Sequence, residues 1–273
     1  MKILLIVNLL FFGFIPSLSF AGVLKKTDAA RERLLGTVKN VRVDIAQIKN
    51  ENGKWVEEDP PMPWLSTSYD RKGHLIEEVQ IYTQQALDFT SVFTRDDTGQ
   101  LIEGLEYDAN GTLAFKWTYT HDAVSGLIEE KRFTPDGTFF SRATYRYDAD
   151  GNLIEENRFP PHSKNHFRWI YKYDTAGRLI EESHYMIRSG ITPERRVNSL
   201  NSRRVFVYDQ NGVLIEETRY NGLGKIMTKK HYQYEYDKIG NWISQTASEP
   251  LPNPDGLPLI PTEITHRKIT YHE

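Results

Sequence analysis

The chain has 273 residues, no cysteine and a formal net charge of −3. That length suits one large repeat array or all-β unit, and the missing thiols exclude both disulfides and a cysteine nucleophile. A near-neutral balance without a basic stripe argues against nucleic acid as a partner.

Residues 1–21 carry an address. Lys2 gives a short positive start, Ile3 to Ile15 is an apolar run, and Ser19 and Ala21 are small residues at the positions a signal peptidase reads. The pattern predicts a signal peptide cut after Ala21, too short for a lasting transmembrane helix. No later stretch is apolar enough to span a bilayer. A periplasmic or secreted protein is expected, with no transmembrane segment after signal cleavage.

Residues 22–63 hold a helix and a first hairpin. Thr27 to Leu35 predicts a short helix, with Thr27 as N-cap and Gly36 just past its end. Val38 to Lys49 alternates loosely, then meets Asn50-Glu51-Asn52-Gly53 and a second short strand pattern. Asp59-Pro60-Pro61-Met62-Pro63 breaks the pattern, so an irregular link is expected there.

Residues 64–245 repeat one phrase seven times. YDRKGHLIEE starts at Tyr69, RDDTGQLIEG at Arg95, HDAVSGLIEE at His121, YDADGNLIEE at Tyr147, YDTAGRLIEE at Tyr173, YDQNGVLIEE at Tyr208 and YDKIGNWISQ at Tyr236. The Asp-to-Asp steps are 26, 26, 26, 26, 35 and 28. Such a period marks an array of equal structural units, none able to bury its apolar face alone.

The turn chemistry of each unit is explicit. Asp70, Asp96, Asp148, Asp174, Asp209 and Asp237 each stand where a type I turn begins, and the carboxylate can accept from a backbone N–H two residues on. Gly73, Gly99, Gly151, Gly177, Gly212 and Gly240 stand where a three-residue hairpin loop needs positive φ. The third copy has Ser125 there and Gly126 after it, which predicts strain or a one-residue shift. Second turns lie at residues 107–111, 133–137 and 220–224. Each unit is therefore two strands and two turns, and the array an antiparallel meander of roughly 14 strands, each about 30 Å long.

Strands running straight from such a loop would pair Tyr147 with Leu153, Arg146 with Ile154, Tyr145 with Glu155 and Thr144 with Glu156. One face would then hold two aromatic columns, Phe93, Tyr119, Tyr145, Tyr171, Phe206, Tyr234 and Tyr107, Phe133, Phe159, Tyr185, Tyr220. Set among them would be the glutamates Glu77, Glu103, Glu129, Glu155, Glu181 and Glu216. The other face would be polar, with Glu78, Glu130, Glu156, Glu182 and Glu217 in surface charge pairs with Arg132, Arg158 and Arg219.

Two segments interrupt the period. Arg188 to Arg204 is a basic, polar stretch that predicts a loop. Residues 246–273 begin with the proline-rich segment Ser248 to Thr262, also expected to be loop, and end in an alternating strand, Thr265 to Tyr271, that would cover an open edge. The predicted fold is all-β: a meander of hairpins forming a long, twisted, curled or rolled-up sheet, with a short helix after the signal peptide.

Seven YD-x-x-G-x-L motifs in register over most of residues 64–245 make the chain similar to the YD-repeat, or Rhs-repeat, family of exported bacterial proteins. In long members, the resemblance implies, such repeats wind a strand-rich shell around a toxic C-terminal domain. This chain has too few repeats for that and resembles the small exported members.

No catalytic constellation emerges. A ladder of equivalent glutamates lacks the one differentiated pair that acid–base catalysis requires. Asp148-Ala149-Asp150-Gly151-Asn152 lacks the later ligands of a calcium loop, and Pro160-Pro161 precede His162 and His166, so neither cofactor nor metal is expected. The binding handles are the carboxylates Glu103, Glu129, Glu155 and Glu181 with Trp117 and Trp169. The expected function is a non-catalytic exported scaffold with an unknown protein or glycan partner in the cell envelope. Alternatives are a glycan- or peptidoglycan-binding module using the aromatic–Glu face, or an accessory piece of an Rhs-type delivery system.

Overall fold

The computed structural model describes residues 26–81, 88–122, 124–163, 165–188, 198–250 and 258–273. The signal-peptide expectation for residues 1–21 lies outside the described residues. So do 189–197 of the basic stretch and 251–257 of the proline-rich one.

One short helix, α1 (Asp28–Arg31), precedes seventeen strands among the described residues. They are β1 (Val38–Glu51), β2 (Lys54–Glu57), β3 (Met62–Tyr69), β4 (Leu75–Gln80), β5 (Phe89–Arg95), β6 (Leu101–Tyr107), β7 (Leu113–Asp122), β8 (Leu127–Phe133) and β9 (Phe139–Tyr147). The second half holds β10 (Leu153–Phe159), β11 (Asn165–Tyr173), β12 (Leu179–Arg188), β13 (Asn198–Tyr208), β14 (Leu214–Asn221), β15 (Ile226–Tyr236), β16 (Trp242–Pro250) and β17 (Leu259–Tyr271). From β3 onward each strand pairs antiparallel with the next.

The expectation of a twisted, curled or rolled-up sheet is overturned, because the sheet is a closed antiparallel barrel of sixteen strands. β1 closes it, pairing with β17 on one side (Val41 opposite Ile269) and with β3 on the other (Val41 opposite Thr67). Only Ile48 to Glu51 of β1 pairs with β2, so the first hairpin is an appendage to a wall strand. β17, expected to cover an open edge, has a strand on each side. Closure satisfies both ladder edges at once, and the repeats cannot specify it, because it joins the first strand to the last.

Smaller boundaries also move. β3 begins at Met62, inside the expected irregular link. β13 begins at Asn198, so Arg203 and Arg204 belong to a strand. β16 runs to Pro250, and Pro261 sits in β17 opposite Ser248, where the register shifts and a missing N–H costs no ladder bond.

Each YD turn follows one plan. Asp148 Oδ1 accepts from the N–H groups of Asp150 at 3.0 Å and Asn152 at 2.8 Å, while Gly151, at φ 79°, donates to the Asp148 carbonyl at 3.1 Å. Asp70, Asp96, Asp174, Asp209 and Asp237 accept in the same way, with Gly73, Gly99, Gly177, Gly212 and Gly240 at positive φ. In the third copy Gly126 instead donates to Asp122, four residues back, so that turn is one residue longer.

The strand after the turn is not straight. Leu153 stands opposite Tyr147, but Glu155 stands opposite Arg146, so Ile154 is an extra residue in a β-bulge. The same shift follows Leu75, Leu101, Leu179, Leu214 and Trp242. The third copy has no such shift: Leu127 faces Asp122, and the spare residue lies in its longer turn. Each bulge reverses which residues face inward from that point.

The predicted helix, Thr27 to Leu35, shrinks to Asp28–Arg31 because Arg33 turns the backbone to φ 57°. The segment then crosses the end of the barrel where the YD turns gather. Ala29 donates to the Gly73 carbonyl at 3.0 Å, Lys26 to Asn152 Oδ1 at 3.0 Å and Arg33 to the Gly212 carbonyl at 3.1 Å. Leu35 N–H donates to Asn241 Oδ1 at 2.8 Å. Its anchor is Asp28, wholly buried, whose Oδ2 accepts from Leu75 N–H at 2.5 Å and from Arg95 at 2.7 Å. Asp28→Ala strips a buried guanidinium of its carboxylate, so chemical denaturation should show a loss of roughly 3 kcal/mol or more, with Asp28→Asn in between.

Candidate functional site

The bulges place the side chains. Tyr145 and Tyr147 point inward with 2% and 6% exposure, and Leu75, Leu101 and Ile128 are fully enclosed. The expected column Glu77, Glu103, Glu129, Glu155, Glu181, Glu216 is not on this aromatic face. Pairing Glu155 with Arg146, and Glu156 with Tyr145, sends the first glutamate of each motif outward and the second inward. The second aromatic column, from Tyr107 to Tyr220, also turns outward, where Arg142 covers Phe159 and Arg203 covers Tyr220.

On the outer wall the first glutamates form a belt of ion pairs. Glu103 meets Lys116, Glu129 meets Lys131 at 3.0 Å and Arg142 at 3.3 Å, and Glu155 meets Arg168 at 3.1 Å. Glu181 meets Lys172 at 2.8 Å, and Glu216 meets Lys229 at 3.0 Å. These exposed pairs add little stability. They do keep the wall polar.

Inside, the second glutamates form a ladder with tyrosines fifteen positions on. Tyr145 donates to Glu130 at 3.0 Å, Tyr171 to Glu156 at 3.0 Å and Tyr232 to Glu217 at 3.1 Å. Arginines complete it: Arg158 bonds Glu156, and Arg204 lies between Glu182 and Glu217. Burial raises the Glu130 pKa, against the pull of Arg158 and Tyr145. Burial and the neighbouring Glu130 push the Tyr145 phenol up, and burial with Glu156 does the same to Tyr171.

The ladder departs from this pattern at Phe206, where Arg204 bonds Glu182 instead, and in two adjacent places. Counting fifteen from Glu78 gives Phe93, which has no hydroxyl, and counting back fifteen from Tyr119 gives Gly104, which has no carboxylate. Glu78 is 3% exposed; its Oε1 accepts from Gln80 at 2.5 Å, while its Oε2 has no hydrogen-bond partner among the described residues. The Tyr119 hydroxyl, in a side chain 6% exposed, has no rung glutamate of its own; it neighbours Glu130, which already accepts from Tyr145, and burial with Glu130 pushes the Tyr119 phenol up. Burial, with Glu32 and Glu106 adding to it, pushes the Glu78 carboxyl up to about 7.

Gly104 is also a steric requirement. A Cβ there would stand 2.5 Å from Trp117, whose ring stacks on Phe93 with centroids 6.2 Å apart. Glu78, Phe93, Trp117, Tyr119, Glu130 and Arg132 face a cavity of about 300 Å³ within the barrel. Trp169 lies elsewhere on the inner face, stacked on His184 at 4.5 Å. Trp117 and Trp169 therefore do not share a face with Glu103, Glu129, Glu155 and Glu181. Sequence reasoning missed Glu78 and Tyr119; the signal was two departures from the repeat, Phe93 in the tyrosine column and Gly104 in place of a glutamate.

Two outcomes follow from this geometry. Gly104→Ala should displace Trp117, with a change in tryptophan emission and a loss of roughly 1–3 kcal/mol on denaturation. A carboxyl whose pKa is higher folded than unfolded holds its proton better when folded, so its contribution is complete below the unfolded pKa and fades as pH rises through the folded one. Thermal midpoints should therefore fall as pH rises from 4.5 to about 7. Glu78→Gln should flatten that slope and exceed the native protein above it.

Residues 65–250 match the family described as the teneurin YD-shell. No curated protein matches the chain by sequence. Among solved structures, a porin-like protein from Bacteroides uniformis aligns with TM-score 0.51 at 8% identity, over 86% of this chain and 99% of that one. A protein of unknown function from Bacteroides fragilis aligns with TM-score 0.26 at 15% identity, over 54% and 91% of the two chains. A structure described as TcdB2-TccC3-Cdc42 aligns with TM-score 0.16 at 10% identity, over 69% of this chain but 15% of that one. Only the first likeness is close enough to indicate a shared barrel fold.

Proposed function

Because the chain belongs to the teneurin YD-shell family and its repeats close into a plugged barrel, we propose that it is an exported, non-catalytic scaffold of the cell envelope that holds a ligand inside its shell. The observation that carries this reading is the opposite character of the two faces. The inner face offers aromatic walls and carboxylates. The outer wall carries a belt of charges through its strands, with Arg146 and Lys172 more than half exposed.

That belt separates the protein from a membrane pore of similar fold. A lipid-facing barrel needs an apolar band, and each Arg or Lys at the bilayer midplane costs about 2–4 kcal/mol. Outward Lys116, Lys131, Arg142, Arg168, Lys172 and Lys229 support a wall in water. The leader-like residues 1–21 support export to a compartment where the lack of cysteine is harmless.

Fractionation of cells expressing the full chain tests the proposal. The mature protein should begin at Gly22 and leave with the soluble envelope contents, and a carbonate wash should leave none in membranes. An uncleaved cytoplasmic protein, or a band that resists carbonate, would overturn it.

A further inference from the structure

The two broken rungs of the inner ladder lie on neighbouring hairpins and open into one cavity. Glu78 comes from β4, Phe93 from β5, Gly104 from β6, and Trp117 and Tyr119 from β7. Wherever the ladder is intact, a tyrosine hydroxyl satisfies the glutamate across from it. Here Glu78 Oε2 is buried with no hydrogen bond among the described residues, beside a Tyr119 hydroxyl whose neighbouring carboxylate, Glu130, already accepts from Tyr145. A buried carboxylate without a partner costs several kcal/mol by order of magnitude. A group kept at that cost, in a cavity, marks a place where a ligand supplies the missing half.

We infer that this gap is a binding site for a small organic cation, a primary ammonium whose N–H groups donate to Glu78 Oε2 and the Tyr119 oxygen while its methylenes lie against Phe93 and Trp117. The inference rests on the reading that the shell holds a ligand inside.

Charge selects the ligand class. Glu32 of the segment crossing the barrel end and Glu106 of β6 disfavour the negative charge on Glu78, and Glu130 of β8 lies beside Tyr119. The inward guanidiniums at the cavity each pair with a carboxylate, although the Arg132 Nε makes no hydrogen bond among the described residues. Arg132 bonds Glu106 and covers the Phe115 ring at 3.7 Å, and Arg158 bonds Glu156. An anion would compete with the carboxylates that hold these guanidiniums, whereas a cation meets a Glu78 oxygen that has no partner among the described residues. The Phe93–Trp117 stack adds the π-faces that favour an alkylammonium over a hydrated metal ion. No group of three or more metal-ligating side chains lies among the described residues.

The cavity volume, about 300 Å³, suits a ligand of a few heavy atoms. An ammonium binds the ionised carboxylate, so binding expels the proton that Glu78 holds below its pKa of about 7.

Calorimetric titration of the purified protein with putrescine tests the site, with glucose and acetate as neutral and anionic controls. Putrescine should bind about tenfold more tightly near pH 8 than near pH 6, releasing a proton, while the controls show no saturable heat. Glu78→Gln should weaken binding at least about tenfold near pH 8. Phe93→Tyr, which restores the missing hydroxyl, should also weaken it while leaving the barrel at least as stable as the native one. No saturable heat with putrescine would overturn the site, as would glucose or acetate binding equally well. So would native affinity in both variants. Fractionation answers separately whether the shell is soluble and exported, so either proposal can fail without the other.

Discussion

One extra residue after each YD turn decides which way the rest of the strand faces. In a β-strand, neighbouring side chains point to opposite faces, so inserting Ile154 between Leu153 and Glu155 exchanges inside for outside for everything that follows. Leu153 still packs with Tyr147. Beyond the bulge Glu155 turns to the solvent and Glu156 to the interior. Six copies share this bulge, and the third achieves the same parity with a longer turn, which puts Ile128 where five of the others put leucine and the seventh Trp242.

Both faces of the barrel depend on that reversal. Outward glutamates meet lysines and arginines of adjacent strands, where water screens them and the pairs maintain a polar wall. Inward glutamates need partners, because low polarity and burial penalise an isolated charge. The tyrosines fifteen positions on, Arg158 beside Glu156 and Arg204 between Glu182 and Glu217 supply these partners. Where Phe93 and Gly104 interrupt the period, Glu78 Oε2 is left without a hydrogen bond among the described residues.

Closure and the plug use residues from outside the repeats. β1 has a sequence unlike the motif, yet it supplies both edges that complete the ring. The segment from Lys26 to Gly36 lies across the YD-turn end and bonds turns of the first, fourth, sixth and seventh copies. Asp28, held by Leu75 and Arg95, ties that segment to the first two hairpins.

Much of this architecture was written in local chemistry. The period of the YD motif, its Asp and Gly, and the aromatic alternation specify antiparallel hairpins, because turn geometry and side-chain alternation act over a handful of residues. Three things were not local. The bulge at Ile154 and its equivalents uses ordinary strand residues, so straight pairing placed Glu103, Glu129, Glu155 and Glu181 on the wrong face. Closure joins residues more than two hundred positions apart, and Val41 carries no mark of pairing with both Thr67 and Ile269. The cavity arises only when Glu78, Phe93, Gly104 and Tyr119, each unremarkable alone, become neighbours across four strands. Sequence by itself determined the repeating unit; the tertiary structure decided which face of that unit is the interior, because burial is a property of the closed ring.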